Sequence, residues 1–257
     1  MRKTISILFS FCAVLLAVLS AGAQQQPKTL ARIVFVTIKN GAAQQFEDGA
    51  KKHVAWLKEH NDPFTTYVWQ IVSGPRTGQY VVGTFGHDWK DFDSHEALDR
   101  EADPDVMANI APSVASHSVS YFALMPQITR VIPASNQPPD PLSRVTTYYL
   151  KPGKEGDVAA AIQQVNDAIK KSNYPAAPSE WYSLVNGGYG PQLVAVSGMK
   201  SWAGFQPPEK GMGQMLTETL GKQATDALHT KFMDSFRETR SEILEYRPDL
   251  SYVPQSQ

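Results

Sequence analysis

The chain has 257 residues, with 24 basic and 25 acidic side chains and a formal net charge of −1. No basic patch or acidic run stands out, which argues against nucleic acid or an anionic membrane surface as a partner. The 42% hydrophobic content is that of a globular protein, and the single cysteine, Cys12, excludes a disulfide scaffold and a cysteine-based metal site.

Arg2 and Lys3 precede an uncharged run over residues 4–23, whose apolar core, 7–19, has the length of a secretory h-region. Ala21, Gly22 and Ala23 supply a small-x-small cleavage site. The pattern predicts a signal peptide over 1–23 and an exported protein, periplasmic or extracellular, with no membrane association after cleavage. A spanning helix would need roughly 20 strongly apolar residues, and Ser, Gly and Ala weaken the second half of this run. Cys12 lies before the cleavage site, so the mature chain carries no thiol.

"RIVFVTIKNG" (32–41) reads as a β-strand ended by a glycine turn. Phe46, Ala50, His53 and Leu57 then fall at i, i+4, i+7 and i+11, the stripe of a helix with one face on a sheet. "VWQIVSG" and "QYVVGTFGHDW" follow as strands. Leu98, Val106, Ile110 and Val114 mark a second helical region, in which Pro104 predicts a break into two helices. "FALMPQIT" occupies the place of a fourth strand and its exit. The proline-rich stretch over 133–143 is predicted to be an extended linker.

The order then repeats. "RVTTYYLKPG" (144–153) matches 32–41, and Val158, Ile162, Val165 and Ile169 match the helical stripe. "WYSLVNG" and "QLVAVSGMKSW" match the next two strands, and "LEYRPDLS" matches the exit. The second copy adds a loop, "QPPEKGMGQ". The reading is an α+β protein with a first domain over 24–132 and a second over 144–257, each β-α-β-β-α-β, the order of a ferredoxin-like unit.

A tandem of such units resembles the dimeric α/β-barrel superfamily, which includes antibiotic-biosynthesis monooxygenase-like and NIPSNAP-like domains. The resemblance rests on element order and duplication over nearly all of the mature chain. It implies two ferredoxin-like sheets facing each other in a pseudo-dimeric α/β barrel, as a monomer or a further homo-oligomer. No motif fixes a reaction.

The duplication also tests each candidate residue against its counterpart. His53 aligns with Val165, His60 with Ser172, His87 with Lys200, His95 with Thr217, His117 with Thr239 and His229 with Met107. No histidine is paired, which argues against two equivalent histidine sites. His87, beside Asp88, is a candidate general base, although Asp88 also suits a helix N-cap. His53 lies in an apolar stripe, as a base or metal ligand or as a core histidine satisfied by a carbonyl. His95 and Asp99 share a helix face whose charged surroundings predict solvent exposure. Trp89 and Trp202 recur at a strand–helix junction and are expected to anchor it by packing.

Trp69, Trp89, Tyr149 and Trp181 are the candidate ligand-binding aromatics. No glycine-rich nucleotide loop or zinc spacing is present, so no cofactor and no metal are expected. Two functions are consistent with this reading. One is an exported protein that binds a small apolar or aromatic molecule in a cavity between the two domains or beneath the "QPPEKGMGQ" loop. The alternative is a cofactor-independent monooxygenase or related enzyme of the barrel type, with His87 or His53 as base.

Overall fold

The computed structural model describes residues 28–131 and 137–254; the expected signal segment (1–23) and residues 133–136 of the expected linker lie outside the described residues. The first half runs β1 (Leu30–Ile38), α1 (Ala43–Glu59), β2 (Tyr67–Ile71), β3 (Tyr80–His87), α2 (Trp89–Asn109) and β4 (Val114–Leu124). The second runs β5 (Leu142–Leu150), α3 (Glu155–Ser172), β6 (Glu180–Asn186), β7 (Gln192–Met199), α4 (Met212–Leu220), α5 (Lys222–Met233) and β8 (Phe236–Tyr246).

β1 reads as a long apolar run because both of its faces are covered. On β1, Val34 and Val36 pack beneath α1 with Phe46 and Ala50. Ile33 and Phe35 point the other way, towards Trp69, Val81 and Leu244. All eight strands pair antiparallel in one closed barrel, in the order β1-β3-β2-β8-β5-β7-β6-β4. Two seams join the halves: β2 with β8, where Trp69 faces Tyr246, and β4 with β6, where Leu124 faces Tyr182.

Pro104 does not break its helix, contrary to the expectation. α2 continues through it for 21 residues. The Arg100 carbonyl deprived of a donor belongs to an exposed residue, where water can satisfy it. The break falls in the other copy, at Gly221 between α4 and α5, with φ of 86°. That backbone conformation favours glycine.

The space between the halves, where a cavity was expected, holds packed side chains. Tyr67, Trp69, Ile71, Val81 and Leu244 are buried there with Phe85, Val145 and Tyr246 around them. Phe85 reaches Tyr182 of the second half, with ring centroids 6.1 Å apart. An eight-stranded barrel is just wide enough for side chains to fill.

Each half also completes the core of the other. After β4, Ile128 is buried with Leu150, Val158 and Ile162, under α3. After β8, Leu250 is buried with Phe46, Ala50 and Tyr80, under α1. Arg247 then clamps Glu47 of α1 at 2.6 and 2.8 Å, while the Tyr80 hydroxyl donates to the same carboxylate at 2.6 Å. The Arg247 hydrogen bonds hold the Glu47 carboxyl down at about 2, against the opposing effect of burial. No helix among the described residues is long and apolar enough to cross a membrane.

Helices α1 and α2 meet at Gly49, where an added Cβ would overlap the backbone carbonyl oxygen of Asn109. Helix propensity alone would make Gly49→Ala stabilising by about 1 kcal/mol. The contact reverses the sign, and urea denaturation is expected to show a loss of about 1–3 kcal/mol. A stability gain in Gly49→Ala would show that the helices are not in contact at this point.

Candidate functional site

Outside the barrel, each half covers its sheet with a layer of helices, and the two layers differ. In the first half, Asp88 starts α2 through a reciprocal capping box. Its carboxylate accepts from the Asp91 N–H at 3.0 Å, and that of Asp91 accepts from the Asp88 N–H at 2.8 Å. This cap lays Phe92 and His95 over the sheet.

His87 is buried, with Nε2 2.6 Å from Thr84 Oγ1. Its ring packs on Phe64 at 4.0 Å, and Phe64 stacks on His95 at 4.0 Å. His95 is only 6% exposed, which corrects the expectation of a solvated face. Its Nε2 lies 2.9 Å from Asp62 Oδ1, and its Nδ1 lies 3.1 Å from Asp99 Oδ1, an ion pair rather than an aligned hydrogen bond. Asp99 in turn pairs with Arg32 at 3.0 Å.

Burial disfavours charge on His95, but the two carboxylates outweigh it and hold the imidazole up at about 9. Burial likewise opposes ionisation of Asp99, yet His95 and Arg32 keep its carboxyl at about 2. Burial pushes His87 down, more strongly than Asp91 raises it. The local sequence "DSHEALDREAD" gave no sign of this, because Asp62 and Arg32 reach His95 and Asp99 from other elements.

In the second half the equivalent layer is open. A cavity of about 810 Å³ separates the outer face of β5, β6 and β7 from α3, α4 and α5. The break at Gly221 replaces one long covering helix with two shorter ones. Tyr148 and Trp181 form the apolar floor, stacked at 5.6 Å, with Ile162, Leu216 and Phe232 around them. Burial raises the Tyr148 hydroxyl above its ordinary range. Arg130, Arg144, Ser179, Ser197 and His229 supply polar groups to the same walls. A smaller recess of about 540 Å³ lies at the 206–214 loop, lined by Tyr174, Pro208, Lys210 and Met215.

Of the residues singled out from sequence, Trp181 lines the larger cavity. Trp69 is in the barrel interior, its Nε1 buried without a partner. Tyr149 contacts Tyr189 and lies under Arg240, and Trp89 is 46% exposed beside Tyr121. Trp202 is also largely exposed, and both tryptophans pack at the strand–helix junction from its solvent side, Trp89 on Phe92 at 6.1 Å and Trp202 on Phe205 at 5.7 Å. His53 sits between α1 and α2, with Nδ1 2.8 Å from Asp105 Oδ2, a carboxylate in place of the expected carbonyl. His87 and His53 line neither cavity. Among the described residues, no group of three or more His, Asp, Glu or Cys is placed to hold a metal ion.

No protein-family model matches the sequence, and no curated protein is significantly similar to it. Solved structures are similar along most of its length. A candidate monooxygenase from Lactobacillus acidophilus NCFM superposes with a TM-score of 0.53 at 8% identity, covering 90% of this chain and 98% of that one. An anthrone oxidase-like protein gives 0.54 at 10% identity, covering 90% and 95%. Chlorite dismutase from Candidatus Nitrospira defluvii, in complex with imidazole, gives 0.52 at 8% identity, covering 87% and 93%. At such identities the likeness is one of fold, and the fold is that of the dimeric α/β barrel.

The raised His95 predicts a pH dependence. An unfolded histidine titrates near 6.5, so the stabilisation is complete below that pH and is lost as pH rises through about 9. Urea denaturation is expected to show stability falling over this window, by at most about 1.4 kcal/mol per pH unit. His95→Gln is expected to flatten the slope. A wild-type profile already flat from pH 6.5 to 9 would show that His95 is not held charged.

Proposed function

We propose that the chain is an exported, fused pair of ferredoxin-like units, 24–132 and 144–257 joined through 133–143, that binds a small apolar or aromatic molecule. The binding site in this reading is the 810 Å³ cavity of the second half, and the assembly is a pseudo-dimeric monomer or a homo-oligomer of it. One observation carries the reading: the same layer is packed with Phe64, His87 and His95 in one half and is open over a Tyr148–Trp181 floor in the other. The volume lies in the range of small-molecule pockets, and apolar walls with a few polar groups are their usual lining.

A cofactor-independent monooxygenase of the barrel type is the second reading. It draws on the names of the structural neighbours and on one position: His229, on α5, borders the cavity. In this reading His229 replaces His87 and His53 as the base presented to a bound molecule.

Fluorescence titration with N-phenyl-1-naphthylamine, an uncharged aromatic probe, tests the site. Thr217 is exposed on α4 and lines the cavity, so Thr217→Trp places an indole in it. That variant is expected to weaken probe binding at least about tenfold, with circular dichroism unchanged, whereas Trp89→Ala leaves binding as it was. Equal affinity in Thr217→Trp and wild type would place the probe elsewhere and overturn the reading.

A further inference from the structure

Arg32 and Arg144 occupy the same position in the two copies, the third residue of β1 and of β5. Each lies over the matching aromatic of its own half, Arg32 over Phe92 at 5.5 Å and Arg144 over Phe205 at 5.1 Å. They differ in their counter-ion. Arg32 has Asp99, but the counterpart of Asp99 is Gly221, where α4 ends. Among the described residues Arg144 makes no salt bridge and no side-chain hydrogen bond, and residues 1–27, 132–136 and 255–257 contain no Asp or Glu.

Arg144 is one end of a row across the sheet. Its partner on β7 is Ser197. The pairing of Glu180 with Val196 continues by register to set Ser179 beside Ser197. The backbone N–H of Arg130 then donates to the Ser179 carbonyl at 3.0 Å. Neighbouring strands lie about 4.8 Å apart, so the two arginines flank the two serines in one row along the cavity. All four residues line the cavity.

The row is incomplete in itself. Ser179 Oγ is buried with no hydrogen-bond partner, a state that buried hydroxyls rarely keep. The Arg130 guanidinium donates to Asn166 Oδ1 at 3.3 Å and to the Ala177 carbonyl, both neutral acceptors. The carboxylate on the cavity rim, Asp226, is exposed and pairs with Lys222 at 2.6 Å.

We infer that the cavity takes an apolar molecule carrying an oxyanion head, with the head on the Arg144–Ser197–Ser179–Arg130 row and the body on Tyr148 and Trp181. The inference rests on the cavity reading above and adds the charge of the ligand. Arginine suits such a head because its planar fork matches carboxylate, sulfonate and phosphate oxygens in pairs. The first half, with Asp99 in place, satisfies its own arginine and has no corresponding vacancy for an anion.

Two probes with the same anilinonaphthalene frame separate the inference from the reading beneath it. 8-Anilinonaphthalene-1-sulfonate carries an oxyanion, and N-phenyl-1-naphthylamine carries none. With the full chain, the sulfonate is expected to bind at least about tenfold tighter, the scale of a hydrogen bond to a charged group. Arg144→Gln, at an exposed position, is expected to remove most of that difference while changing the uncharged probe less than about twofold. Thr217→Trp is expected to weaken both. Decanoate and decyl phosphate are expected to displace the sulfonate better than decanol, and their ranking identifies the preferred head. Equal affinity for the two probes, an equal loss of both in Arg144→Gln, or displacement by decanol as effective as by the anions would overturn the oxyanion site and leave the cavity reading standing. Failure of both probes to bind would overturn the cavity reading and this inference with it.

Discussion

A sheet edge is a row of unpaired backbone donors and acceptors, and each half of this chain makes a four-stranded sheet with two such edges. The structure resolves all four edges by pairing the halves, β2 on β8 and β4 on β6. The rest of the architecture depends on that closure. It brings Trp69, Phe85, Tyr182 and Tyr246 into one interior. It also carries the exit of each half across to the other, so that Ile128 and Leu250 are buried under helices that are not their own. The halves therefore share a core, and the barrel interior has little freedom to become a binding site. Variation is cheaper in the helix layers outside it, and there the copies diverge.

The divergence follows from a few residues. In the first layer, Arg32, Asp99, His95 and Asp62 form an alternating series of charges, covered by Phe64 and Phe92. Buried charges are tolerable when each has a partner, and breaking one pair leaves an uncompensated charge behind. The second layer retains the arginine and its aromatic but lacks both carboxylates and the histidine: Gly221, Tyr174 and Thr217 stand in their places. What would be a destabilising remnant in a closed core is tolerable where the layer opens to solvent and leaves Arg144 exposed. The same loss that opened the layer left a cation facing the space.

Local pattern made much of the fold legible. The two strands that begin with Arg32 and Arg144, the apolar stripes of α1 and α3, and Asp88 as a helix cap each depend on neighbours in sequence. What escaped depends on distant ones. Pro104 reads as a helix break until the surface that solvates the Arg100 carbonyl is known. His95 reads as a surface residue because its stretch is charged, although Asp62, 33 residues away, is what pairs with it on the buried side. A cavity was expected between the halves or beneath the 206–214 loop; between the halves aromatic side chains pack together, whereas residues of the loop line both recesses of the second half. The signal that was available lay in the alignment itself, where two arginines match and their carboxylate does not.

Catalysis requires a proton-transfer group that a substrate can reach, and the distribution of the histidines bears on this. His87 and His95 are pushed towards opposite protonation states on the two faces of Phe64, an arrangement that in an open site would mark an acid and a base. Here the ring between them is buried and neither histidine borders a described cavity, so the opposition is accounted for by folding. Desolvation keeps His87 neutral, and two carboxylates keep His95 charged. His229 lies elsewhere, on α5 at the rim of the cavity. The two oppositely shifted histidines in the closed half, and Arg130, Arg144 and the orphaned Ser179 hydroxyl beside the cavity of the open one, favour the binding reading over the catalytic one.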